Sequence, residues 1–369
     1  MPRCVSLLCK VQFKTLLINF FIVWPNTFFL SEIIHYWGYP HEEYDILTDD
    51  GYYLKANRIP YGIHSPRKSG PIPVVLLVPG LVAEGRSWIA NLPNNSLGFF
   101  LADAGYDVWI INNRGTTWSR RHQNFTIDQQ EFWNFTFHEM GIYDIPAAIN
   151  FILQKTQQDG LYYLGHSQGG AIGKLRRKEW SYFIMLFCVA KDFSVLVQCP
   201  KAETTFLTLQ KSRKIWGTKE FQFFSKRMKT ISTQLCSYPG IDELCLQLIY
   251  LCAGFNDGNL NVVSELYDFI KILSNPPFYK IEDMMVPTAI WSGGTDIVTT
   301  AKDADQLRLR ISNLVFNKTI PEWNHADFIW DTEAPKYLFP EVLNLMQMYQ
   351  YNIPYQSGHF FSFSERKCL

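Results

Sequence analysis

Gly165-His166-Ser167-Gln168-Gly169 follows the short strand-like run Leu161-Tyr162-Tyr163-Leu164 and leads into Gly170-Ala171-Ile172-Gly173-Lys174-Leu175, which patterns as a helix. A strand, a tight turn with serine at its apex and a helix together present a hydroxyl at the carboxyl edge of a sheet. The turn is so sharp that the positions flanking the serine must be nearly free of side chain. Glycine on both sides meets that need. Ser167 is therefore the candidate nucleophile, and the expected surroundings are a sheet whose strands alternate with helices.

The rest of the chain meets that expectation. Upstream, Tyr44-Asp45-Ile46-Leu47-Thr48 and Tyr52 to Pro60 flank Asp49-Asp50-Gly51 and read as a hairpin. Pro73-Val74-Val75-Leu76-Leu77-Val78 is an unbroken apolar run of the buried-strand kind, ending at Pro79-Gly80. Leu97 to Ala104 is helical in pattern and stops at Gly105. Tyr106 to Ile111 is another strand, and Tyr143 to Thr156 another helix. Downstream, Pro287 to Trp291 and Leu314-Val315-Phe316 supply further strands. The alternation predicts an α/β fold with a mainly parallel central sheet. The stretch from Glu203 to Asn275 is rich in helix formers without clear strands and reads as a helical cap inserted above the sheet. The expected division is a leader over 1–30, core over 31–202, cap over 203–275 and core again over 276–369.

Composition narrows the function classes. The chain has 369 residues, 47% of them hydrophobic and 16% aromatic, enough for a large core. Thirty-four basic residues balance 34 acidic ones, which gives no attraction to nucleic acid. Arg3, Lys10 and Lys14 precede the mostly apolar run Leu16 to Trp24, which is too short to span a bilayer and fits a secretory signal; with no A-x-A cleavage site following, a retained anchor or a buried helix is the alternative reading. Four N-x-[ST] sequons, at Asn94, Asn124, Asn134 and Asn317, agree with a secretory route and are candidate glycosylation sites. Among eight cysteines there is no CxxC pair, so no zinc ribbon or dithiol redox site is expected. Cys236 and Cys245 read either as closing a small loop or as two free thiols. Neither cofactor nor metal is expected.

A serine hydroxyl needs a base within hydrogen-bond reach. In this architecture the partners follow the serine in the order acid, then histidine. Only His325 and His359 lie beyond Ser167. His325 sits in a loop just past a strand and is the candidate base. His359 lies in a polar tail and reads as solvated. Asp296, in the turn Ser292-Gly293-Gly294-Thr295-Asp296 after a late strand, is the candidate acid. Asp303 and Asp305 read as exposed helix positions, and Asp327 as a local hydrogen-bond group. The oxyanion donors are expected to be the N–H of Gln168, next after the nucleophile, and that of Leu81 in the Pro79-Gly80-Leu81 turn.

Longer motifs carry a family resemblance. Ser31-Glu32-Ile33-Ile34-His35-Tyr36-Trp37-Gly38-Tyr39-Pro40, Asn91-Leu92-Pro93-Asn94-Asn95-Ser96-Leu97, Gly165 to Gly169, and Asn324-His325 with Asp327-Phe328-Ile329-Trp330 resemble the acid lipases, the α/β-hydrolase family of gastric and lysosomal acid lipase. The likeness runs from about Ser31 to Gly173 and resumes from about Gly217 to Met346. It implies hydrolysis of neutral lipid esters by a secreted or lysosomal enzyme that transiently contacts a lipid interface. It also implies a Ser167, Asp296, His325 triad, with Leu81 and Gln168 as oxyanion donors, and a Cys236–Cys245 disulfide. Three departures stand out. Pro79 occupies the place where the family has histidine. The match is lost from Lys174 to about Thr205, where a core strand belongs and Phe183 to Val189 is the available substitute. The cap is short by tens of residues. A second reading follows from them: a non-catalytic or misfolded variant that keeps the triad but alters the core strand and cap.

Overall fold

The computed structural model describes residues 29–63, 72–81, 83–173, 181–187, 281–296, 299 and 301–350; for 181–187 and 350 it gives the backbone alone. Nearly all of the expected leader, the whole of the expected cap with Cys236 and Cys245, and the tail with His359 lie outside the described residues.

The described chain runs α1 (Leu30–Tyr36), β1 (Glu42–Leu47), β2 (Tyr52–Ile59), β3 (Val74–Val78), α2 (Leu97–Asp103), β4 (Asp107–Ile111), β5 (Arg121–His122), α3 (Ile145–Thr156), β6 (Gly160–His166), α4 (Gln168–Gly173) and β7 (Ser181–Phe187). It continues beyond residue 280 with β8 (Thr288–Gly293), α5 (Ala301–Arg308), β9 (Leu314–Ile320), α6 (Asp327–Trp330) and α7 (Phe339–Gln350). The strands form one sheet in the order β1-β2-β4-β3-β6-β7-β8-β9, with β5 paired to β2. Pairings that involve β2 are antiparallel, and all others are parallel. The expected α/β sheet is therefore present, with the expected hairpin at one edge.

Alternation along the central strands sends side chains to two cores, one on each face. On one face Val75 and Leu77 of β3, Val108 and Ile110 of β4, and Tyr162 and Leu164 of β6 pack under α1, α2 and α7. On the other, Val74, Leu76 and Val78, then Trp109 and Ile111, then Leu161 and Tyr163 pack under α3 and α4. Both faces of β3 and β4 are buried throughout, which is why these strands are continuous apolar runs in sequence.

β7 occupies the sheet position in doubt from sequence. It lies parallel between β6 and β8, pairing Leu161 with Tyr182 and Ile184 with Thr288. The strand starts at Ser181, two residues earlier than the apolar run suggests. Its flanks hold β6 and β8 two strand spacings apart, and that sets the separation between the elbow after β6 and the turn after β8.

A buried ion pair fixes the loop that follows β4. Arg114, fully enclosed, donates to Asp144 at the start of α3 (2.9 Å from Nε) and to Asp50 of the hairpin turn (2.6 Å from Nη1). Its guanidinium also lies 4.0 Å over the ring of Tyr52. Removing one partner of such a pair strands a buried charge. We expect Asp144→Ala to cost about 3–5 kcal/mol of stability in urea unfolding. A loss under 1 kcal/mol would mean that Asp50 alone satisfies the guanidinium.

Candidate active site

The turn between β6 and α4 holds Ser167 at φ 53°, a left-handed conformation that non-glycine residues resist. The flanking glycines are required by contact. A Cβ on Gly165 would lie 2.5 Å from the backbone nitrogen of Gly170, and one on Gly169 would lie 2.3 Å from the carbonyl oxygen of Val78. The elbow thus packs backbone to backbone against the end of β3. Tyr163 closes the turn from below, its hydroxyl donating to the Gly169 carbonyl at 2.5 Å. The first helical bond, from the Ala171 N–H to the Ser167 carbonyl at 3.0 Å, sets α4 directly behind the serine.

The other two candidates arrive from the carboxyl ends of β8 and β9, the edge where open α/β sheets bind ligands. Asp296 lies three residues past β8, and His325 five past β9. The two turns are laced together: the Gly294 N–H donates to the Ile320 carbonyl at 2.8 Å and the Thr295 N–H to the Trp323 carbonyl at 3.0 Å. Within this frame His325 Nδ1 lies 3.0 Å from Asp296 Oδ2. A carboxylate only accepts, so Nδ1 carries the proton and Nε2 is the basic nitrogen. All three side chains are withdrawn from bulk water, with Ser167, Asp296 and His325 at 7%, 5% and 5% exposure.

Burial alone would raise the Asp296 carboxyl. The hydrogen bond and charge of His325, with two bonds from Thr299, outweigh burial and hold it at about 2. Thr299 donates from its N–H to Oδ1 at 2.8 Å and from its hydroxyl to Oδ2 at 2.6 Å. Asp296 is thus ionised and oriented before any substrate arrives. Asp303 is buried, not exposed as its helix position suggests, because α5 lays that face against the sheet; Asp305 stays exposed. Asp327 does bond locally, accepting from the Asn324 N–H at 2.7 Å beside the candidate base.

The loop after β3 reaches the serine. A Cβ on Gly80 would stand 3.1 Å from Ser167 Cβ, so glycine permits the approach. Pro79 gives up an N–H, but its carbonyl is used: Asn113 donates to it from Nδ2 at 3.3 Å. Further along, Glu84 accepts from the Thr117 N–H and the Trp118 indole. Leu81, half-buried, sits in this strapped turn, and buried Gln168 opens α4, where the first N–H groups have no partner within the helix. Thr299, Asn113 and His166 are contributors that sequence reasoning missed. The first two are polar residues without a motif, found only through their bonds. His166 stands inside the motif, where its role as a spacer hid its contacts. Among the described residues no cluster of His, Cys, Asp and Glu is suited to a metal ion.

Sheet order, elbow and His–Asp pair together define an α/β-hydrolase. Family models agree: a partial alpha/beta-hydrolase lipase region matches residues 30–92 and the alpha/beta hydrolase fold matches 73–174. The solved α/β hydrolase GrgF from Penicillium sp. sh18 shares the fold at TM-score 0.55 and 12% identity, covering 85% of this chain and 98% of its own. The lysosomal acid lipase/cholesteryl ester hydrolase of Macaca fascicularis is 41% identical over 366 residues, 87% of this chain and 91% of its own. The gastric triacylglycerol lipase of Rattus norvegicus is 36% identical over 362 residues, 86% of this chain and 91% of its own. The chain belongs to the acid lipase family. The Macaca match spans 366 aligned positions yet takes in 87% of these 369 residues, so that relative carries residues with no counterpart here.

Burial raises the Asp327 carboxyl to about 6, helped by the charges of Asp331 and Asp296 and opposed by the Asn324 N–H. A folded carboxyl that holds its proton more tightly than the unfolded one contributes stability fully present below its ordinary value of 3.8 and lost as pH rises through 6. Asp327→Asn keeps an acceptor for the Asn324 N–H and removes the titration. Its Tm should exceed the parent's at pH 7.5 and match it at pH 4; equal shifts at both pH values would contradict the raised carboxyl.

Proposed function

We propose that the chain is a serine hydrolase that cleaves carboxylic esters of lipids, acylglycerols or sterol esters, through an acyl-enzyme on Ser167. The observation that carries this reading is the buried His325–Asp296 pair, whose histidine backbone is bonded to His166, the neighbour of a serine held at positive φ. The lipid substrate is supported by relatives named for cholesteryl ester and triacylglycerol hydrolysis.

In this reading His325 Nε2 takes the Ser167 proton as Oγ attacks the ester carbonyl carbon. Asp296 keeps the imidazole in the Nδ1–H tautomer and stabilises the imidazolium. The oxyanion of the tetrahedral intermediate is received by the N–H groups of Leu81 and Gln168. Collapse of the intermediate breaks the ester C–O bond, and the imidazolium proton leaves with the alcohol. Water, deprotonated by His325, then attacks the acyl-enzyme, and the fatty acid departs as Ser167 recovers its proton. No cofactor enters the scheme. An insoluble substrate requires transient contact with a lipid interface.

The non-catalytic alternative is not favoured. β7 fills the sheet position it supposed vacant, and the relatives are named as hydrolases. The same relatives support a lysosomal or secreted location. Among the described residues no helix is long and apolar enough to cross a membrane. Asn94, Asn124, Asn134 and Asn317 are all exposed, which supports glycan attachment. Protein from a secretory host should lose mass on glycosidase treatment, and an unchanged mass would remove the sequons from the account. The Cys236–Cys245 disulfide remains part of the proposal on the strength of the resemblance.

A short cap buries less of a long acyl chain. Each buried CH₂ is worth roughly 0.8 kcal/mol, so losing three or four costs about two orders of magnitude in kcat/KM. We expect p-nitrophenyl esters of short acids to be preferred, with Ser167→Ala inactive on every member of the series. Residual hydrolysis by a clean Ser167→Ala preparation would sink the mechanism. A kcat/KM that climbs steadily with acyl length would sink the short-chain preference alone.

A further inference from the structure

His166 stands inside the elbow motif, yet its side chain reaches two other segments. It is 8% exposed, and its Nε2 lies 2.9 Å from the backbone carbonyl oxygen of His325. A carbonyl only accepts, so Nε2 carries the hydrogen and donates it. Burial and the neighbouring imidazole of His325, whose ring centroid is 4.9 Å away, hold His166 down at about 3. The ring is thus neutral, with a bare Nδ1. On that side lies the loop after β3: a Cβ on Gly80 would stand 3.2 Å from Nδ1. One ring therefore touches the elbow, the loop that carries the base and the turn that carries Leu81.

We propose that His166 is a positioning residue for the base: its Nε2–H···O=C bond to His325 anchors to the elbow the peptide from which the catalytic imidazole projects. The inference rests on the function proposed above. Asp296 grips the His325 ring itself, through Nδ1. One grip leaves the imidazole free to pivot about Nδ1, and a pivot changes the approach of Nε2 to Ser167. The second grip, on the backbone, removes that freedom and comes from the residue adjacent to the serine. The distance between nucleophile and base is then set within a single dipeptide. Neutrality matters for the same reason: a second imidazolium against His325 would oppose the charge the base must take up in the reaction.

The test compares three variants on a soluble short-chain ester, with Ser167→Ala as the blank and Tm as the check on folding. His166→Leu keeps bulk and loses the donor. His166→Gln places an amide N–H near the position of Nε2. His166→Asn is polar but too short to reach the His325 carbonyl. A misplacement of about 1 Å at the reacting groups costs on the order of a hundredfold. We therefore expect kcat to fall roughly ten- to a hundredfold in His166→Leu and His166→Asn, with KM little changed, and to return to within a few-fold of the parent in His166→Gln. If His166→Leu does not fold, the Gln and Asn pair carries the comparison. Equal kcat in Gln and Asn variants of an active parent would overturn the positioning role. A parent no faster than Ser167→Ala would overturn the proposed function, and this inference with it.

Discussion

Ser167 is held at a φ of 53°, where the Cβ of an L-residue crowds its own backbone. Such a conformation costs of order 1–3 kcal/mol and persists only where the surroundings over-determine it. Here they do. β6 ends hydrogen-bonded between β3 and β7, and α4 begins one residue after the serine with its apolar side on the core. The chain has no room to relax the turn without pulling Gly165 and Gly169 out of backbone contact with α4 and β3. Most of the site follows from that constraint. The strained turn lifts the serine side chain clear of the sheet, and the same close approach brings the loop after β3 alongside it.

The remaining geometry is a consequence of sheet order. The proposed nucleophile, acid and base leave from the same edge because β6, β8 and β9 are parallel. The acid and base turns are bonded to each other before their side chains meet, so the Asp296–His325 pair is a property of the scaffold. Thr299 adds two bonds to the hydrogen bond and charge of His325, and together they keep the carboxylate ionised despite burial. A polar residue in this position contributes hydrogen-bond donors and orientation where an apolar neighbour would have pushed the carboxyl up.

What could be read from sequence was what local pattern encodes. The glycines of the elbow, the apolar runs of β3 and β4 and the chain order of Ser167, Asp296 and His325 each carry their structural reason in adjacent residues. Three features did not. Asp303 sits on a helix face whose burial depends on where α5 docks, and no local signal carries that. Thr299 acts through two hydrogen bonds to a residue 3 positions away and Asn113 through one to a residue 34 positions away, and polar side chains of that kind are common everywhere in a sequence. β7 was ambiguous because an apolar run of strand length states neither its register nor its partners. Only the unfilled place between β6 and β8 decides them.

The central claim is that Ser167 is a nucleophile activated by His325 in an enclosed site. The most direct measurement is peptide mapping by mass spectrometry after the folded protein is treated with a serine-directed alkyl phosphonate. The account predicts a single adduct, on Ser167, formed rapidly in the parent and slowed strongly by His325→Ala. An unmodified Ser167, or an adduct that forms as fast in His325→Ala, would contradict it.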